Sequence, residues 1–183
     1  MRHGLICAAA IVTMALPCGA LAQPAATANP VTQALRNAWN EAKTNFRRSA
    51  DVMPEAKYGF TPVAGVRSFG AILAHVAGAS YEFCAAAKGE KPPHAEAEFE
   101  QSAKTKADIV AALDGAIAYC DDIYKGLDDA KAAQSTAGAF GGPPGARAGN
   151  LIGNTSHFQE HYGNLVTYLR INGLVPPSSA PRQ

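Results

Sequence analysis

Four long stretches of the sequence carry apolar residues at the spacing of an amphipathic helix, and none alternates in the manner of a β-strand. The predicted helices run from about residue 32 to 51, from 68 to 88, from 102 to 127 and from 146 to 171. Ser68 suits the N-terminal cap of the second helix, and Gly89 suits its C-terminal stop. Such helices bury their apolar faces against one another, so the predicted fold class is all-α, a four-helix bundle.

The first 22 residues have the parts of a secretory signal peptide. A basic start at Arg2 precedes an apolar run over residues 5–16 that is too short to span a bilayer, and a small-x-small pattern ends at Ala22. We expect cleavage after Ala22 and a periplasmic or secreted protein. No second long apolar run follows, so we expect a soluble mature chain without a stable membrane anchor.

By composition, the chain divides into four parts. We predict a signal peptide over residues 1–22, a disordered lead-in over 23–31, the helical bundle over 32–177 and a tail over 178–183. Within the bundle, residues 128–149 are rich in Ala, Gly and Pro, which predicts a long mobile loop before the last helix.

Charge excludes some classes of partner. The leader takes Arg2, one of 16 basic residues, and the remainder balances 15 acidic residues with no basic stripe. Nucleic acid and anionic membranes are therefore excluded as expected partners. The expected partner is a small-molecule substrate or ligand, and a homodimer is left open.

Two cysteines, Cys84 and Cys120, remain after the leader is removed. Cysteines in an oxidising compartment often pair, although two buried free thiols are the alternative. If they pair, the C-terminal ends of the second and third predicted helices lie together. These helices are then parallel, and the bundle is up-down-down-up.

Three of the four remaining histidines fit one metal site. His157 and His161 are four residues apart in the last helix, which puts both imidazoles on one face. His75 lies ~20 Å from the end of its helix, and the pair lies ~17–23 Å from the start of theirs. In antiparallel helices these heights agree, which predicts a three-histidine site for one divalent transition metal.

Other interpretations are open for the same residues. A histidine beside an apolar stripe is often a buried core residue, and a histidine pair can be fortuitous. His94, beside two prolines, is predicted to be solvated and without a role. The run from His157 to His161 also matches His-x-x-Glu-His zinc peptidases, but no Asp or Glu follows it to supply their third ligand. Glu160 is the candidate catalytic base or proton carrier, with an ordinary solvated glutamate as the alternative.

Three segments together resemble the DinB-like family of helical-bundle proteins. They are residues 67–76 (RSFGAILAHV), 157–165 (HFQEHYGNL) and 168–177 (YLRINGLVPP), and the resemblance extends from about residue 32 to 177. It implies an up-down-down-up bundle and a nickel or zinc ion held by His75, His157 and His161. Characterised members of this family include thiol-dependent transferases and isomerases. An export leader and a Cys84–Cys120 bridge would depart from those enzymes, whose low-molecular-weight thiols are cytoplasmic.

The sequence therefore predicts a metal-dependent hydrolase or transferase of unnamed substrate, with Zn or Ni as cofactor. The alternative is a non-catalytic periplasmic protein that binds a metal or a small ligand.

Overall fold

The structure, a computed structural model, describes residues 28–181. The predicted signal peptide, residues 23–27 of the predicted lead-in and the last two residues of the predicted tail lie outside the described residues. The helices are α1 (Pro30–Val52), α2 (Phe69–Lys88), α3 (Glu98–Ser102), α4 (Lys106–Gly126), α5 (Asp129–Ala133) and α6 (Arg147–Ile171). Two short strands, β1 (Ser135–Thr136) and β2 (Gly145–Ala146), form an antiparallel ladder. The prediction of an all-α fold is confirmed.

The central element of the core is α2. The Ser68 hydroxyl accepts the backbone N–H of Ala71 at 3.2 Å, and Gly89 ends the helix in a left-handed conformation at φ 81°. Among residues 28–181, α2 is the one helix long and apolar enough to cross a membrane. However, 78% of its apolar 18-residue stretch is buried inside the bundle. It packs against both α4 and α6, so its continuous apolar surface is that of a core helix.

An aromatic cluster joins α1, α4 and α6. The ring of Trp39 stacks on Tyr124 at 4.7 Å between centroids and meets the edge of Phe158 at 4.9 Å. The buried hydroxyl of Tyr124 donates to the carbonyl oxygen of Leu151 at 2.7 Å, so burial leaves no unpaired donor there. Fully buried aromatic rings supply much of the apolar area that stabilises a bundle of this size.

A hydrogen bond and an ion pair show that α1 and α4 run in opposite directions. Trp39, in the first half of α1, donates to Asp121 near the end of α4, whereas Arg47, farther along α1, pairs with Asp114 earlier in α4. The Arg47–Asp114 pair is partly exposed and contributes little stability. Together the two contacts fix which faces of the two helices meet.

A disulfide bond joins Cys84 of α2 to Cys120 of α4, with the two Cα atoms 5.4 Å apart. Near the opposite ends of these helices, Gly70 lies against the side chain of Ile109. The two helices therefore run in the same direction, as the predicted pairing requires. The prediction of a bridged cysteine pair is confirmed.

The predicted start of the third helix was wrong. Residues 98–102 form the separate helix α3, and α4 begins only at Lys106. A capping box separates them: Asp108 donates its backbone N–H to the Thr105 hydroxyl at 3.1 Å, and its carboxylate accepts the Thr105 N–H at 3.0 Å. This reciprocal pair satisfies the backbone N–H groups of Thr105 and Asp108, which marks the start of α4. The crossover between α2 and α4 consequently spans residues 89–105.

The prediction of a long mobile loop over residues 128–149 was also wrong. Asp128 caps α5 by accepting the N–H of Lys131 at 2.7 Å, and β1 pairs with β2. The side chain of Asp129 accepts the N–H of Thr32 at 2.8 Å, which ties α5 to the first turn of α1. That turn begins at Pro30, inside the predicted lead-in, because proline suits the first position of a helix.

The crossover touches α2 at Gly78. A Cβ added at Gly78 would lie 1.9 Å from the carbonyl oxygen of Glu96, which is closer than any side chain allows. Only glycine admits this approach of two backbones. The crossover is therefore positioned against α2 at a defined height, one helical turn from His75.

We predict that reduction of the Cys84–Cys120 bond lowers the free energy of unfolding by about 3–4 kcal/mol, since the bond closes a loop of sequence separation 36 in the unfolded chain. Urea unfolding with and without reductant measures this difference. The Cys84→Ala/Cys120→Ala variant is the control, because its stability should not respond to reductant. Intact mass showing two free thiols in oxidised exported protein would contradict the prediction.

We predict that Gly78→Ala destabilises the protein by about 1–3 kcal/mol or more, because the backbone at Glu96 must move. Gly163→Ala is the matched control: this glycine also lies in a helix, but nothing lies within 4 Å of an added Cβ. There alanine should be neutral or stabilising by up to ~1 kcal/mol. Equal effects of the two substitutions on urea unfolding would show that the crossover does not depend on Gly78.

Candidate metal centre

The three predicted ligands converge between α2 and α6. One ring nitrogen from each of His75, His157 and His161 lies within 4.8 Å of the other two. The Nε2 atoms of His75 and His157 are 3.2 Å apart, and each pair of rings has its centroids about 5 Å apart. The structure thus brings together the residues that spacing and helix heights had selected.

The imidazoles of α6 are held in the form that binds metals. Burial, assisted by the charges that His161 and His75 would carry, lowers the pKa of His157 to about 3. Burial and the neighbouring His75 also lower the pKa of His161. Both rings are therefore neutral at pH 7, and a neutral ring offers a nitrogen lone pair.

The crossover supplies a carboxylate that orients His75. Nδ1 of His75 lies 3.2 Å from Oε1 of Glu100 and 3.7 Å from Oε1 of Glu96. Arg67 donates through Nε and Nη2 to the two Glu100 oxygens at 3.0 and 3.3 Å. With its proton on Nδ1, His75 donates to Glu100 and directs the Nε2 lone pair toward His157. A carboxylate behind a histidine ligand is a common way to fix its tautomer and ring orientation.

The two histidines of α6 have different surroundings at Nδ1. Nδ1 of His161 lies 3.2 Å from the side-chain amide nitrogen of Asn164, and a half-turn of that amide would bring its oxygen there to accept the Nδ1 proton. Nδ1 of His157 is buried and has no hydrogen-bond partner among residues 28–181. The three-nitrogen donor set fits a borderline metal such as Zn²⁺ or Ni²⁺.

Neither of the other two residues considered in the sequence, Glu160 and His94, joins the cluster of three histidines. Glu160 is exposed and makes no hydrogen bond to the three histidines in the described chain; its catalytic role stays a prediction. His94 pairs with Glu98 at 3.0 Å and packs on Tyr81, away from the site.

Sequence reasoning missed Glu100, Glu96 and Arg67. The glutamates of the crossover were visible as a group, but nothing in their spacing showed which of them reaches α2.

A cavity of about 280 Å³ opens beside His161. Arg67, Asn164 and Tyr168 are among its lining residues, and the Tyr168 hydroxyl donates to the carbonyl oxygen of Arg67 at 2.9 Å. Larger clefts, of about 460 and 490 Å³, contain none of the three histidines. The 280 Å³ cavity, although smaller, is lined by one of the three histidines, His161.

Known structures share this fold. A DinB-like protein from Bacillus cereus aligns with a TM-score of 0.67 and 14% identity, over 79% of this chain and 95% of that one. A protein from Exiguobacterium sibiricum, described as a candidate DinB family member, aligns with a TM-score of 0.62 and 21% identity, over 80% and 95%. A mycothiol-dependent maleylpyruvate isomerase aligns with a TM-score of 0.61 and 15% identity, over 73% of this chain and 60% of the isomerase.

Sequence comparison gives the family directly. No curated protein matches the chain. The sequence pattern of the DinB superfamily matches residues 38–164, which include all three histidines and most of the bundle. The protein therefore belongs to the DinB superfamily.

Proposed function

We propose that this protein binds one divalent transition metal, Zn²⁺ or Ni²⁺, through His75, His157 and His161. The observation that carries the proposal is the meeting of three imidazole nitrogens from two helices within 4.8 Å. Two nitrogens bound tetrahedrally at 2.0–2.1 Å from one zinc ion would be about 3.3 Å apart. The 3.2 Å between the Nε2 atoms of His75 and His157 agrees with that value.

We further propose that the bound metal serves a hydrolase or transferase reaction. Three protein ligands leave a coordination position for water or substrate, as in catalytic rather than structural zinc sites. Such an ion, when bound, polarises a substrate atom or lowers the pKa of a water toward ~7. The cavity beside His161 supports access for water or a small molecule at one side of the proposed site, and Arg67 at its wall is paired with Glu100. Glu160, one residue before His161, remains a candidate proton carrier at the rim.

The Cys84–Cys120 bond supports export, since stable disulfides form in oxidising compartments. An exported protein is poorly placed to use a cytoplasmic thiol, so the thiol dependence of the similar isomerase is not part of the proposal. The rival function is a non-catalytic periplasmic protein that stores or senses a metal or small ligand. A metal-loaded protein that turns over no ester, amide or thiol-conjugation substrate would favour this rival.

We predict about one bound metal ion per chain in protein purified without a histidine tag, measured by mass spectrometry of the metal. Adding Zn²⁺ or Ni²⁺ to stripped protein should raise its melting temperature, because a ligand present at 100 times its Kd stabilises the folded state by about 2.7 kcal/mol. His157→Ala should abolish most of the binding and the shift. His94→Ala is the matched control and should preserve both. The site would be refuted if the melting temperature of stripped wild-type protein did not change on adding Zn²⁺ or Ni²⁺.

We predict that Glu100→Ala weakens metal binding by about 10- to 100-fold, because His75 loses the acceptor that orients it. Glu100→Gln should retain more affinity, since its amide oxygen can still accept the Nδ1 proton. Competition with a chromophoric chelator measures both. Glu98→Ala, on the same short helix but paired with His94, is the control and should bind as the wild type does. Equal affinities of the Glu100→Ala and Glu98→Ala variants would remove Glu100 from the site.

A further inference from the structure

Next to His157, two phenylalanines form a surface that the proposed metal chemistry does not use. The ring of Phe83, on α2, lies 5.9 Å from the ring of His157 between centroids. Phe140, from the segment between β1 and β2, meets Phe83 edge-on at 4.9 Å. Phe83 is half-buried and Phe140 is 49% exposed. We call Phe83 and Phe140 the aromatic pair.

The backbone of α6 makes room for this pair beside the site. A Cβ added at Gly153 would lie 2.8 Å from the Phe83 ring. Gly153 is one helical turn before His157, so the ring of Phe83 lies directly against α6, adjacent to a proposed metal ligand. A larger residue at position 153 would push the ring away from this position.

Phe140 is held in a conformation that costs free energy. Its φ is 55° and its ψ is 32°, the left-handed region, which a bulky residue other than glycine rarely adopts. The side chain gains little burial in return, since half of it remains exposed. A strained conformation that the surrounding structure enforces is a feature of ligand-binding sites.

The segment that carries Phe140 is firmly anchored. The ladder of β1 and β2 closes it, and the side chain of Asn150 bonds three groups within it: it accepts the Ala139 N–H at 3.0 Å and donates to the Ala137 carbonyl at 2.9 Å and the Thr136 hydroxyl at 3.1 Å. Gly138 permits the contact with the carbonyl of Pro143 that a Cβ would prevent. The strain at Phe140 is therefore maintained by specific contacts.

We infer that the aromatic pair binds an aryl or other flat apolar group of the ligand whose polar end reaches the metal. This inference rests on the proposed metal site and adds the class of its substrate: a small molecule with a metal-binding group beside an aromatic ring. The pair is continuous with the site through the contact between Phe83 and His157. Edge-to-face and offset-stacked contacts give such a ring a defined place.

Metal-loaded protein and two hydroxamates test the inference, since both probes bind metal ions and differ in the attached group. Calorimetry should show benzohydroxamate binding about tenfold tighter than acetohydroxamate. In Phe140→Gly this preference should fall to less than about threefold, with acetohydroxamate unchanged. The melting temperature should stay the same or rise, because glycine relieves the positive φ. Ile171→Ala removes an apolar side chain that is 57% exposed elsewhere on α6 and should keep the preference.

Three outcomes overturn the inference. Wild-type protein that binds both hydroxamates equally would remove the aryl site and leave the metal site intact. Phe140→Gly that melts lower and loses affinity for both probes would show that Phe140 serves packing alone. Protein that takes up no metal and binds neither probe would refute the proposed function and this inference together.

Discussion

The burial of three imidazoles in the contact between α2 and α6 is the constraint on which the site and its surroundings depend. Burying polar groups away from water costs free energy unless they are bonded, and charged imidazoles would cost much more. The lowered pKa of His157 and His161 is the measure of this cost, since burial is its first cause. The nitrogen lone pairs of the neutral rings face one another, and a cation placed between them would be stabilised by all of them. The same burial that opposes protonation therefore favours a metal.

The remainder of the bundle sets the height and direction of these rings. Rigid helices deliver His157 and His161 from one face of α6, and α2 delivers His75 from within the core. The disulfide bond and the aromatic cluster around Trp39 fix α2 and α6 relative to α1 and α4. The crossover then adds Glu100 from outside the helix pair, at a height set by the backbone contact at Gly78. A site built in this way takes ligands from regular helices and their orientation from an irregular segment.

This division explains which parts could be predicted from the sequence. His75, His157 and His161 were identified because helical rise and period convert sequence spacing into position, without knowledge of side-chain contacts. Glu100 could not be identified in that way, because its place depends on where the crossover touches α2. The start of α4 and the order within residues 128–149 were missed for a related reason. Side-chain bonds to the backbone, from Asp108, Asp128 and Asn150, decide local structure there, and composition does not show them.

The regular helices and the irregular segments also differ in how freely their residues can be substituted. A change in α2 or α6 at the level of the histidines alters core packing and the proposed metal site at once, so few substitutions suit both. The crossover contacts the site through Glu100, which bonds His75, and the segment between β1 and β2 lies near it through Phe140, which packs on Phe83. Substitutions in these segments can change the surroundings of the three histidines while the helices keep their packing. The strain at Phe140 fits this arrangement: the helices bear the stability of the fold, so an edge segment can hold a costly conformation near the proposed metal site.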